Sequence, residues 1–226
     1  MSILDWSHKG STIPHYLRDE EEAYSLPIIL RLEKGGDSPS HEKVLEATAY
    51  AIAQLFDDER TVSDPVWKDS LETWMRGRIR KVARRARTSA WDKVKESENV
   101  YINFNNVEIC ILPPHPVDTT PDVIRKLQVA GLDLPSEPQA NPEANLLLAV
   151  NPFITMTTGK SMAQIGHATQ LAIFNSSEDV LARWKADNFA TSFTAWDSFP
   201  EWTAEIQDAG FTEVEPGTFT TRSILR

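Results

Sequence analysis

LLLAVNPFITMTTGKSMAQIGHATQLAIF, residues 146–174, reads as a strand, a loop and a helix in succession. Leu146 to Val150 is an apolar run of strand length, and Lys160 to Phe174 carries apolar residues at helical spacing. Ligands of open α/β sheets bind at the carboxyl ends of strands, which is where the loop after Val150 falls. At ~100° per residue, Lys160, Gln164 and His167 share an arc of about 60°, while Met162, Ile165, Thr169, Ala172 and Ile173 cluster on the far side. The apolar side can pack on a sheet while an ammonium, an amide and an imidazole face one cleft. In such a trio Lys160 can anchor a phosphate or oxyanion, Gln164 can orient a group, and His167 can move a proton. The competing reading is an ordinary solvated polar face, because Lys and Gln are common on surfaces.

Gly159-Lys160-Ser161 after a strand also suggests a phosphate-binding P-loop. That motif needs a glycine at 154, where the chain has Ile154, and Thr157-Thr158 stand where glycines would let the backbone cradle a phosphate. A nucleotide-phosphate binder would instead need the backbone amides of Thr157 to Lys160 to form an anion nest.

Downstream, Glu178 to Lys185 reads as a second helix, Thr191 to Trp196 as a strand and Pro200 to Ala209 as a helix. Two strands about the turn Pro216-Gly217 close the chain. Upstream, Leu134 to Asn145 has three prolines in eight residues and no apolar stripe, which marks a linker. Before it, Leu26 to Leu32 reads as a strand. Ser40 caps a helix whose stripe is Val44, Leu45, Ala47, Thr48, Ala51, Ile52 and Leu55. Asp64-Pro65 opens a helix with Trp67, Leu71, Trp74 and Met75 and a stop at Gly77. Ile79 to Arg87 fits a helix or a strand. Asn105-Asn106 joins Val100 to Phe104 and Val107 to Leu112 as a hairpin, and Pro121 to Leu132 makes a short helix.

If Ile79 to Arg87 is a strand and Thr88 to Lys95 a helix, the two halves share one order: strand, long helix, shorter helix with Trp, strand, short helix, hairpin. That order points to an internal duplication. The organisation expected is an arm at 1–24, an α/β half at 25–133, the linker at 134–145 and a second α/β half at 146–226.

The chain has 226 residues, 41% of them hydrophobic, enough for one large domain or two small ones. Neither a membrane-spanning run nor a signal peptide is legible, so the expectation is a cytoplasmic protein without membrane contact. The single cysteine, Cys110, lies in an apolar run and reads as a buried strand residue; no disulfide or metal spacing exists. A net charge of -10 repels polyanions on average, so a nucleic-acid role needs a local patch. Arg76, Arg78, Arg80, Lys81, Arg84, Arg85 and Arg87 form one, seven basic residues in twelve with no acid among them. A solvated face that offsets the acidic remainder is the alternative.

Met156 to Ala168, MTTGKSMAQIGHA, resembles the signature of type two peptidyl-tRNA hydrolases, a Met-Gly-Lys-Gly-Lys loop followed by an Ala-Gln-x-x-His-Ala helix. Gly159, Lys160, Ala163, Gln164, His167 and Ala168 match. Asp208 to Thr220 resembles the family's Asp-Ala-Gly-Arg-Thr-Gln-Ile-x-Pro-Gly-Thr-x-Thr. The resemblance covers about the last 80 residues. It implies a mixed four-stranded sheet flanked by helices, hydrolysis of the ester joining a peptide to the tRNA 3′ ribose, and no metal or other cofactor. It places Lys160, Gln164, His167, Asp208, Thr212 and Thr220 in the active site. The basic run from Arg76 to Arg87 would contact tRNA phosphates. Thr158 replaces the first lysine, Phe153 stands where the family has an acid, and Phe211 and Glu213 replace Arg and Gln. A degenerate first half, with His41 and Lys43 but no matching motif, would make the monomer a pseudo-dimer imitating the family's homodimer. The rival expectation is a non-catalytic member that binds tRNA or a protein.

Overall fold

Leu26, Ile28, Ile29 and Leu30 are fully buried, and a run apolar on both faces belongs at the centre of a covered sheet. In a computed structural model, which describes residues 2–8, 23–35, 38–77, 79–137 and 143–226, this run lies in β1 (Tyr24–Arg31). The first half continues with α1 (His41–Asp57), α2 (Arg60–Ser63), α3 (Pro65–Arg76), β2 (Arg80–Ala86) and α4 (Thr88–Lys95). β3 (Val100–Phe104), β4 (Val107–Ile111), β5 (His115–Pro116) and α5 (Asp122–Arg125) follow. The second half contains β6 (Leu146–Val150), α6 (Thr158–Asn175), α7 (Glu178–Ala186), β7 (Thr191–Phe193), β8 (Ala204–Gln207) and β9 (Phe219–Leu225).

Local chemistry sets the boundaries. Ser40 accepts the Lys43 amide at the start of α1, and Asp64 accepts the Val66 and Trp67 amides ahead of Pro65. Thr157 accepts the Lys160 amide and caps α6. Asn105 and Asn106, at φ 50° and 65°, make the left-handed two-residue turn of the β3–β4 hairpin.

The first sheet runs β2-β1-β4-β3, with the two-residue β5 added beside β1; the second runs β7-β6-β9-β8. β1 pairs in parallel with β2, and β6 with β7; β1–β4, β3–β4, β6–β9 and β8–β9 are antiparallel. Each half is thus a mixed four-strand path flanked by helices, and the two paths share order and direction. α1 and α6 pack on each other, and each reaches across, α1 to β7 and α6 to β2. Val44, Leu45 and Trp67 therefore belong to the same apolar core as Met162, Ile165 and Trp184. Ile29, Trp91, Cys110 and Ile124 form a smaller core on the other face of the first sheet.

Three readings change and one alternative is resolved. Residues 200–209 are not a helix: Ala204 and Ile206 are buried while Glu205 and Gln207 are exposed, a period of two that builds β8 against β9. The turn at Pro216-Gly217 lies within a long connection, 208–218, and no strand occupies 211–215. Residues 121–132 keep only the short α5, because the following segment bridges the edge of β2 at Arg85 and Gln128. The alternative left open at Ile79 to Arg87 resolves as strand, β2 taking Arg80 to Ala86.

Of the expected arm, residues 9–22 lie outside the described residues. Ile3–Trp6 is a 3-10 turn with Ile3 buried, and Trp6 meets Phe56 of α1 edge-on and stacks on Phe174 of α6. Of the expected linker, 138–142 lie outside the described residues. Pro135, Ser136 and Glu137 are tied to the start of α1 by bonds to His41 and Glu42. No helix among the described residues is long and apolar enough to cross a membrane.

Candidate functional site

Lys160 projects from the first turn of α6 and Asp208 from the chain just after β8. Lys160 Nζ stands 2.6 Å from Asp208 Oδ2, and both side chains are 9% exposed. Gln164, one turn further along α6, donates to the same oxygen at 2.7 Å, and Thr220 of β9 donates to Gln164 Oε1 at 2.6 Å. Gly210 N–H donates to the other oxygen, Asp208 Oδ1, at 2.8 Å. Lys160 Nζ also reaches Thr212 Oγ1 at 3.4 Å, and Thr212 is exposed. Five of the six expected site residues therefore meet in one network, drawn from three separate stretches of chain. Its polar groups satisfy one another, and it meets solvent at Thr212.

The connection that carries Asp208 and Thr212 turns back at Gly210 (φ 76°), where any side chain would overlap the ring of Pro216. Asp208 N–H donates to Thr218 O and Gly217 N–H to Asp208 O, closing the loop on itself. At its outer side Glu213 accepts from both the amide and the hydroxyl of Thr157. Phe211, 59% exposed, lies under the Arg80 guanidinium. Phe153 is 81% exposed in the loop before α6.

His167 does not join the network. Its Nδ1 lies 3.1 Å from Lys81 Nζ, which also donates to Gln170 Oε1 at 2.5 Å and sits 4.7 Å from the centre of the Trp74 ring. Helical spacing put His167 on the arc of Lys160 and Gln164, but Lys81, arriving on β2 from the other half, draws it aside. Burial first, then the charges of Lys81 and Lys160, hold the imidazole well below its ordinary range. Burial likewise depresses the Lys81 amine.

The start of α6 is not an open anion nest. The Thr157 amide donates to Glu213, the Gly159 amide to Leu132 O, and the Lys160 amide to Thr157 Oγ1. Thr158 is fully buried, its hydroxyl 2.9 Å from His41 Nδ1 and accepting the Leu134 amide. It ties the two helix starts and the linker together.

The basic run is not one face. Arg78 lies outside the described residues, and successive side chains of β2 alternate across the sheet. Lys81 is 7% exposed, so it is not a surface cation. Arg84 donates to Leu127 O and Arg85 to Gly131 O, fastening the segment after α5. Arg76 pairs with Glu72, and Arg87 is exposed. Gln170 and Trp74 carried no site signal in the sequence, and Gly210 was legible only as the glycine of the Asp-Ala-Gly stretch. Among the described residues no three His, Cys, Asp or Glu side chains are grouped as a metal site requires. Compared with known family models, curated proteins and solved structures, the chain matches none.

Proposed function

We propose that this chain hydrolyses the ester of peptidyl-tRNA, releasing peptide and tRNA, and that its first half is a degenerate copy of a type two peptidyl-tRNA hydrolase unit. The monomer is then a pseudo-dimer, with the cluster in the second half only. The observation that carries the reading is the meeting of an amine, a carboxylate and an exposed hydroxyl at Lys160, Asp208 and Thr212. An amine beside a carboxylate at a solvent-facing hydroxyl is what ester hydrolysis by water uses.

In this scheme the ester carbonyl approaches from the Thr212 side. A water held between Thr212 and Asp208 attacks the carbonyl carbon, and its proton passes to Asp208. Lys160 stabilises the oxyanion; the C–O bond to the ribose then breaks, and the ribose oxygen leaves with the proton that Asp208 took from the water, which returns Asp208 to its carboxylate form. Gln164 and Thr220 hold Asp208 in place. Asp208 takes the proton role that the helix arc suggested for His167.

The test is incubation of the protein with a peptidyl-tRNA beside Lys160→Ala. Cleavage lowered about 10²–10³-fold by the substitution is expected, the scale for one oxyanion donor. No cleavage, or cleavage unchanged by it, defeats the mechanism. The second reading, a non-catalytic tRNA- or protein-binding member of the same fold, is favoured by the mutual satisfaction of the cluster, by Glu213 at its rim and by the diversion of His167. It predicts tRNA binding that weakens with salt and no ester cleavage.

A further inference from the structure

Among the described residues of the basic run Lys81 is the most deeply buried cation, and none of the three groups about its nitrogen is an anion. An ammonium has three N–H donors. They face three acceptors: Gln170 Oε1, the π face of Trp74, and His167 Nδ1. As an ammonium Lys81 has no lone pair and can only donate, so its third N–H meets His167 Nδ1 as a bare lone pair. Its stem is seated with equal care: a methyl on Gly166 would stand 2.8 Å from Lys81 Cδ and 3.3 Å from Cε.

We propose that Lys81 is a positioning residue supplied by the first half to the second: it donates to His167 Nδ1 and holds the imidazole as the neutral tautomer with its proton on Nε2. The charged groups acting on the ring are Lys81 from β2 and Lys160 from α6, both cations, and both oppose a second proton. The degenerate half thereby sets the chemical state of a side chain on the functional helix. The consequence for ester cleavage rests on the hydrolase reading. His167 is a fixed hydrogen-bond donor there, not a base, and the rate shows no inflection near pH 6.5, the ordinary histidine value.

The test is nitrogen NMR of the imidazoles in the substrate-free, full-length protein, with His167→Gln identifying one signal among five histidines. A ring still neutral and protonated on Nε2 at pH 6.5, the ordinary histidine value, is expected. In Lys81→Met, which keeps the volume and the apolar stem, the ring should mix tautomers and take up a proton at a higher pH than in the wild type, burial still holding it below its ordinary value. A wild-type ring protonated on Nδ1, a cationic ring at neutral pH, or a tautomer unchanged in Lys81→Met overturns the proposal. The wild-type spectrum decides alone if that variant does not fold. Should the tautomer be as stated and peptidyl-tRNA stay uncleaved, the hydrolase reading falls and the role of Lys81 stands.

Discussion

Asp208 accepts from Lys160, Gln164 and the Gly210 amide, the first two set by one helix face and the third by its own loop. Helical spacing alone made Lys160 and Gln164 legible, because i and i+4 lie on one arc. Asp208, Thr212 and Thr220 followed only from the resemblance, since nothing in their spacing says that a loop after an edge strand folds onto α6. Gly166 is a sharper case. Its role depends on a lysine 85 positions away that the helix pattern cannot reveal. Gly166→Ala should lower stability by about 1–3 kcal/mol through overpacking against a side chain already held at its far end. Denaturant midpoints measure it, and a neutral result would show that Lys81 is loosely seated. The pH dependence carries the same signature. The folded Lys81 amine is depressed below 10.5, so below that pH the unfolded chain binds more protons and this contribution to stability falls as pH falls. His167, depressed below 6.5, adds in the same sense under that value. Below pH 6.5, where the unfolded chain protonates its imidazole before the folded His167 does, the wild type should therefore lose more stability than Lys81→Met.

At the level of elements, long helices and central strands were readable and short edge pieces were not. α1 announces itself by its Ser40 cap and stripe and α6 by its stripe, whereas β8 is four residues long and its alternation is overwritten by flanking residues that suit a helix. Its identity comes from the ladder to β9, a tertiary fact. β2 was ambiguous because its basic residues fit either period, and pairing with β1 decides it. The 3-10 turn at Ile3–Trp6 was missed for a related reason: one Trp among polar residues gives no period, yet it bridges α1 and α6. Trp6→Ala should cost about 3–5 kcal/mol, read as a fall in the thermal midpoint. Cys110, fully buried in β4, has its thiol pushed up to about 12, chiefly by burial. It should react with thiol reagents only on unfolding.

Over the whole molecule, two sheets share one strand path and pairing sense, although the element order read from the sequence loses its short helix in the second half, where residues 200–209 supply β8. The sequence did not show how the halves meet, because that depends on which helix faces pair. α1 lies on α6, each helix reaches the other half's edge strand, and one apolar core runs through both. A core shared in this way should unfold as one cooperative unit, with near- and far-ultraviolet dichroism changing together; two resolved transitions would contradict it. The seam also places Arg80 over Phe211 and Lys81 against His167, so the half without a cluster borders the half that has one.

Single-turnover cleavage of a peptidyl-tRNA by the wild type and by Thr212→Val puts the central claim to its most direct measurement, because Thr212 is exposed and its loss leaves the Lys160–Asp208 pair standing. The account predicts ester cleavage by the wild type and a rate about 10²-fold lower in the variant. A wild type that leaves the ester intact, or a variant that cleaves it as fast, would contradict the account.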